Sequence, residues 1–279
     1  MTDKSFEELL TMFDYDQELP LNVQETGVEH RDEISIHDLS YASPANGRVK
    51  AYWVRPPGAG PFAGMIFVHP GPGNRSNFLD EAVLLAQRGA ASLLIEAPWA
   101  QGEAWGRTLG QPQGDRQAHT QTAIDFRRAI DVVASRPEVD ANRIGYVGHS
   151  FGALFGGVLS GVEKRIKAYT LMAGVGSFTD VAALNIPSLT GQTLAEYSQV
   201  MTRIDPIHYV GHAAPAALFF QFGLQDDFFA RAKFESYAAA GSEPKLVKWY
   251  NADHYSLNTE GRHDRLEWLG MQLGLEQIM

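Results

Sequence analysis

Apolar positions recur with one spacing near the amino terminus and with another further along, and the change divides the chain. Phe6, Leu9, Leu10 and Phe13 fall at i, i+3, i+4 and i+7, which predicts a short amphipathic helix that lays one stripe on the body. Residues 1–25 therefore read as a helical extension. Residues 34–41 (ISIHDLSY) and 49–54 (VKAYWV) are β-branched and aromatic runs separated by the turn-rich SPANG, a pattern that predicts an antiparallel hairpin.

From residue 64 onward, short apolar runs alternate with longer helical patterns. GMIFVH, ASLLIEA, IGYVG, IKAYTLM, AALFFQFG and LVKWY read as strands. Helices are predicted over 77–88, over 116–136 up to Pro137, from Ser150 onward, near 229–240 and near 260–273. Apolar runs without alternation suit strands covered on both faces, so the pattern predicts a parallel α/β sheet built from βαβ units. Two stretches break it: residues 97–115, rich in Gly, Gln and Trp, and residues 173–214. Both leave the carboxyl ends of strands, where open α/β sheets bind ligands. Leu189, Leu194, Tyr197 and Met201 have roughly helical spacing, so 173–214 reads as a small cap inserted over a pocket.

Composition narrows the chemistry. The 279 residues are 44% hydrophobic and 20% charged, which fits one large α/β domain over 1–279. A net charge of −10 with no basic patch opposes binding to nucleic acid or to anionic lipid. The absence of cysteine excludes disulfides, a thiolate nucleophile and Cys-ligated metals. The start MTDKSFEELL has no basic segment followed by an apolar one, and no window supplies 18 uninterrupted apolar residues, so a cytoplasmic location without membrane association is expected.

The sharpest signal is Gly148-His149-Ser150-Phe151-Gly152, a G-x-S-x-G sequence between the strand IGYVG and the apolar helix FGALFGGVL. In that context a serine sits on a tight strand-to-helix turn with its hydroxyl above the sheet, and the Phe151 amide faces the same space from the helix amino end. Serine is a weak nucleophile and needs a base with a third group to orient it. Asp226 follows the strand AALFFQFG and His254 follows LVKWY, both on the edge predicted for Ser150. Asp227 and Asp180 are rival acids, whereas Asp253 adjoins His254 too closely to turn back to its ring.

These pieces resemble the α/β-hydrolase superfamily, in particular its dienelactone hydrolase and prolyl-oligopeptidase-like esterase branch. FVHPGPGN, RPEVDANRIGYVGHSFGA, FGLQDDFF and ADHYS carry the likeness over residues 49–273. The resemblance implies a mostly parallel eight-stranded sheet with helices on both faces, and ester hydrolysis through an acyl-serine without metal or cofactor. It assigns Ser150 as nucleophile, Asp226 as acid and His254 as base. Dienelactone hydrolases proper use a cysteine, so this chain departs from that substrate. In His69-Pro70-Gly71-Pro72-Gly73-Asn74 the prolines have no amide hydrogen, which leaves Gly71, Gly73 or Asn74 as the second oxyanion donor. Gly71 occupies the position where the resemblance puts it. His69 reads as a structural brace of this loop and His149 as filler of the elbow's variable position.

Trp99, Trp105, Phe151, Phe178 and Tyr255 fall near the loops that frame Ser150 and predict an apolar acyl or aryl pocket for a small-molecule ester. Peptidase, amidase or acyltransferase chemistry would use the same trio. A more distant reading takes Gly71-Pro72-Gly73-Asn74-Arg75-Ser76 with Glu96 as a dinucleotide fingerprint, but Ser76 replaces its third glycine and Pro72 deletes an amide. His208 and His212 have the H-x-x-x-H spacing of a metal site without the accompanying Glu, and no metal is expected there.

Overall fold

The computed structural model describes residues 3–100 and 109–276. Nine strands form one sheet: β1 (Gln24–Arg31), β2 (Ile34–Ala42), β3 (Arg48–Arg55), β4 (Phe62–Val68), β5 (Ala90–Ile95), β6 (Val139–His149), β7 (Ile166–Met172), β8 (Ala217–Gly223) and β9 (Lys245–Tyr250). Their spatial order is β1-β2-β3-β5-β4-β6-β7-β8-β9. The first three are antiparallel to their neighbours, and every pairing from β5 through β9 is parallel. β4, β5 and β8 are buried along their whole length, as expected of strands covered on both faces.

The sheet has one strand more than the eight implied by resemblance. β1 carries the sequence QETGVEHR and is exposed throughout. It is held by its backbone ladder to β2, from Gln24 opposite Ser40 to Arg31 opposite Ile34, so burial never required the alternation that marks a strand in sequence. The helical part of the amino-terminal segment is correspondingly short. Helix α1 (Asp3–Leu10) and a 3₁₀ turn over Thr11–Phe13 precede β1. Phe6, Leu9 and Phe13 are buried as the stripe predicts, and the Phe6 ring stacks on His212 at 3.6 Å between centroids.

Helices cover both faces. On one lie α3 (Pro112–Ala134) and α4 (Phe151–Val162), whose Phe126, Ile130, Leu154 and Leu159 join a core with Tyr146 and Tyr169 of the sheet. On the other, α2 (Leu79–Ala86) and the carboxyl-terminal helix α9 (Arg262–Leu273) bury Leu85, Leu269 and Leu273 against Met65 and Phe219. α3 starts with Pro112 in its first turn, where a missing amide hydrogen costs nothing, and α9 ends at Gly274 in the left-handed region (φ 61°). Residues 173–214 fold as α5 (Phe178–Asn185), α6 (Gly191–Met201) and a run of 3₁₀ turns before β8. The remaining helices are α7 (Arg231–Ala240) and the single turn α8 (Leu257–Glu260).

Candidate active site

β6 runs into α4 with only Ser150 between them. Ser150 is held at φ 53° and ψ −113°, a conformation that L-residues seldom adopt. Its amide donates to the Met172 carbonyl at 2.7 Å, which ties the turn to the end of β7. The flanking glycines follow from close backbone approach: a Cβ on Gly148 would collide with the Gly152 carbonyl, and one on Gly152 with the Val68 carbonyl of β4. The Tyr146 hydroxyl donates to the Gly152 carbonyl at 2.7 Å from beneath. The G-x-S-x-G spacing is thus a packing requirement of the place where helix, β6 and β4 meet. The Phe151 amide stands at the amino end of α4, where backbone N–H groups face outward along the axis.

The loops after β8 and β9 are cross-linked, with the Leu224 amide donating to Tyr250 O at 2.8 Å and that of Gln225 to Ala252 O at 3.0 Å. This brings Asp226 Oδ2 within 2.6 Å of His254 Nδ1. The Phe228 amide donates to Asp226 Oδ1 at 3.0 Å, fixing the carboxylate from its other side. Both side chains are buried. Nδ1–H donates to the carboxylate, which leaves Nε2 as the ring's other nitrogen, and His254 lines the cavity together with Ser150. Among the described residues no hydrogen bond joins the Ser150 hydroxyl to His254; they meet as wall residues of one cavity, an arrangement that substrate binding commonly tightens. The rival acids are engaged elsewhere or exposed. Asp180 pairs with Lys233 at 3.0 Å, and Asp227 is exposed. Asp253 Oδ1 accepts from the Tyr255 amide and from the Ser256 amide and hydroxyl, bonds that hold its carboxyl below the usual range.

The cavity has a volume of about 470 Å³ and opens at the carboxyl edge of the sheet. Gly71 and Pro72 form part of its wall. Of the three possible second donors, the Asn74 amide is committed to Asn77 Oδ1 at 2.8 Å, and Gly71 is the one that lines the cavity. His69 braces this loop as expected. Its Nε2 accepts from the Ala97 amide at 3.1 Å, so Nδ1 carries the hydrogen and donates to Pro70 O at 2.8 Å. Burial holds the His69 ring below its ordinary basicity. Trp99 donates to the same Pro70 carbonyl at 3.0 Å while its indole stacks on Phe155.

Trp99, Phe151, Phe178 and Tyr255 all line the cavity, so the structure gathers these predicted pocket residues in one place. Trp105 lies outside the described residues. The inserted stretch 173–214 also supplies Tyr197, one of its helically spaced residues, and Val181, Ala182 and Ile186, which no sequence signal marked. Tyr197 sits in α6 and donates to Asp115 Oδ2 of α3 at 2.9 Å, a contact between elements 82 positions apart that no local pattern announces. His119 also lines the cavity, its Nδ1 donating to Asp115 O at 2.7 Å, and burial lowers its pKa to about 4. A neutral ring among Phe151, Phe155 and Phe178 keeps that end of the cavity uncharged.

The sequence features that favoured other chemistry have structural partners. Glu96 Oε2 accepts from the Arg75 amide at 3.1 Å, and the Arg75 guanidinium bridges both Asp38 oxygens, so these residues close the loop between β4 and α2. His208 bonds to Thr202 Oγ1 at 3.2 Å while His212 stacks on Phe6, so the pair does not converge. Among the described residues no helix is long and apolar enough to cross a membrane.

Residues 125–214 match the family described as BAAT / acyl-CoA thioester hydrolase C terminal, a span well short of half the chain. No curated protein matched the sequence significantly. Among solved structures, the acetyl xylan esterase from Paenibacillus sp. R4 aligns with a TM-score of 0.79 at 19% identity, over 98% of this chain and 95% of that one. Acetyl xylan esterase 1 from Thermoanaerobacterium sp. JW/SL YS485 aligns at 0.76 with 15% identity, over 96% of this chain and 93% of that one. A cold-adapted esterase from an Arctic intertidal metagenomic library gives 0.65 and 16% identity over 90% and 99%. The likeness gives the fold: the chain has the α/β-hydrolase fold that its motifs resemble.

Proposed function

We propose that this α/β-hydrolase-fold chain is a serine-dependent hydrolase of carboxylic esters. The observation that carries the reading is Ser150, strained at a strand-to-helix elbow, lining the same cavity as His254, an imidazole already paired with a buried carboxylate. In the proposed mechanism the Ser150 oxygen attacks the ester carbonyl while His254 Nε2 accepts its proton. Asp226 fixes the imidazole tautomer and stabilises the imidazolium. The amides of Phe151 and Gly71 receive the developing oxyanion, each donor being worth about 3 kcal/mol at the transition state. The proton then passes to the departing alkoxide, and water repeats the sequence on the acyl-serine to release the acid.

The cavity favours an apolar acyl or aryl group, because its lining is mostly apolar and includes Leu154, Phe178, Val181, Ile186 and Phe229. Among its described lining residues there is no Lys or Arg, and the chain is strongly acidic, which favours an uncharged ester over a polyanionic thioester. The match to a thioester hydrolase domain supports the same acyl chemistry and makes thioesters the second reading. The test is a panel of p-nitrophenyl esters from acetyl to dodecanoyl, with aryl esters, acyl-CoA thioesters and an aminoacyl anilide. Preference for medium-length or aryl oxyesters is expected. Turnover confined to thioesters or anilides would overturn the ester assignment.

A further inference from the structure

His149 occupies the variable position of G-x-S-x-G, directly before Ser150, and its side chain is fully buried. Its Nε2 lies 2.8 Å from the backbone carbonyl oxygen of His254. A carbonyl only accepts, so Nε2 carries the hydrogen. On the other side Nδ1 lies 3.3 Å from Asn258 Nδ2, a donor, so Nδ1 presents its lone pair. The two contacts together select the neutral Nε2–H tautomer. Burial opposes charging in the same sense, with the nearby His254 adding to it, and the pKa falls to about 3.

We propose that His149 is a positioning residue that clamps the base to the nucleophile: the residue beside Ser150 holds the main chain of His254 by a direct hydrogen bond and sets the spacing between the two reacting side chains. The inference rests on the serine hydrolase reading above. The clamp is short and stiff. His149 ends β6, whose carboxyl-terminal half is buried, and Ser150 follows it, so one backbone segment carries the nucleophile and the group that fixes the base's loop. The far end is anchored as well. Asn258 O accepts from Arg265 Nη2 at 3.2 Å, and Arg265 is fully buried with its Nε 2.7 Å from Glu81 Oε1 and its Nη1 3.1 Å from Gln221 Oε1. The base-bearing loop is therefore tied to α2 and β8 through Asn258 and to the elbow through His149.

Neutrality is part of the function. The His149 and His254 rings are 5.4 Å apart between centroids, and a charge on His149 would oppose the imidazolium that forms on His254 during turnover. A neutral imidazole holds the loop without that penalty, which a lysine or arginine could not do.

The test compares His149→Phe, which keeps a ring but has no donor, with His149→Gln, whose amide nitrogen reaches the same carbonyl. Each is assayed for kcat and KM on a p-nitrophenyl ester and for the rate at which a fluorophosphonate probe labels Ser150. For His149→Phe, kcat and the labelling rate are expected to fall together by about 10²-fold with KM nearly unchanged, the scale of a misplaced reacting pair. His149→Gln is expected to recover most of both. Asn258→Ala, which releases the other nitrogen, should lower kcat by roughly tenfold, about one hydrogen bond's worth, and serves alone with His149→Gln if His149→Phe does not fold. Equal rates for wild type and His149→Phe, or His149→Gln falling as far as His149→Phe, would overturn the clamp while leaving the serine reading intact. If His149→Phe does not fold, a His149→Gln variant as slow as one without the donor would require, or an Asn258→Ala variant at the wild-type rate, would overturn it. Failure of the wild type to label would overturn the serine reading, and the clamp with it.

Discussion

The cavity has two kinds of wall, one built from strand ends and the other from inserted helices, and they differ in how much of each is buried. On the sheet side, Ser150, Gly71 and His254 follow directly from β6, β4 and β9, and the β6 and β4 ends are buried and pair with neighbours on both sides. On the inserted side, Phe178, Val181 and Ile186 belong to α5 and the segment after it, much of which is exposed. That wall packs Phe178, Ala182, Tyr197 and Met201 into the core and adds a few polar anchors. Asp205 accepts from the Phe178 amide at 2.8 Å and the Ser177 hydroxyl at 3.1 Å, and Tyr197 reaches across to Asp115. On the proposed reading, the reacting groups stand on the buried strand ends and the more exposed inserted segment shapes the cavity. The two should therefore respond separately to substitution.

The largest effect is expected on the sheet wall. Ser150→Ala should lower kcat for a p-nitrophenyl ester by on the order of 10⁶, and a folded variant that keeps most activity would remove the nucleophile from this wall. Asp226→Asn should cost about 10⁴ in kcat, because the imidazole tautomer is no longer enforced, whereas Asp227→Asn should be nearly silent; the reverse ranking would transfer the acid to Asp227.

On the inserted wall, Val181→Phe fills the cavity from α5. It should lower kcat/KM for the longest accepted acyl chains by about 10- to 100-fold and leave an acetyl ester within about twofold. An equal loss at every chain length would break the division between walls.

The smallest effect concerns the anchor of that wall. Burial pushes the Asp205 carboxyl up to about 7. An unfolded aspartate releases its proton near 3.8, so between these values the folded state holds a proton that the unfolded state has lost. This contribution is fully present below the unfolded value and is lost as pH rises toward and through 7, at up to roughly 1.4 kcal/mol per pH unit. Urea titrations from pH 5 to 8 should show wild type losing stability relative to Asp205→Asn across that window. A constant difference would show that Asp205 is already ionised in the folded chain.

Much of the sheet wall was legible in the sequence because each of its parts obeys a local rule. Continuous apolar runs marked β4, β5, β6 and β8, and the elbow glycines marked a place where no Cβ fits. Asp226 was readable, ahead of Asp227, as a carboxylate just past a strand end, and the structure adds its 2.6 Å contact with His254. β1 escaped because a strand held by its backbone at an exposed edge leaves no apolar alternation. His149 read as filler because its partners, His254 and Asn258, lie 105 and 109 positions away.

By itself the sequence determined the alternation of strands and helices, the elbow around Ser150 and the supply of an acid and an imidazole past later strands, since periodicity, backbone sterics and side-chain chemistry are local properties. Only the tertiary structure decided which residues meet around one cavity, how close Asp226 comes to His254, and how the inserted helices line one side. Those outcomes depend on distances between segments far apart in the chain, and such distances are set by how the whole core packs.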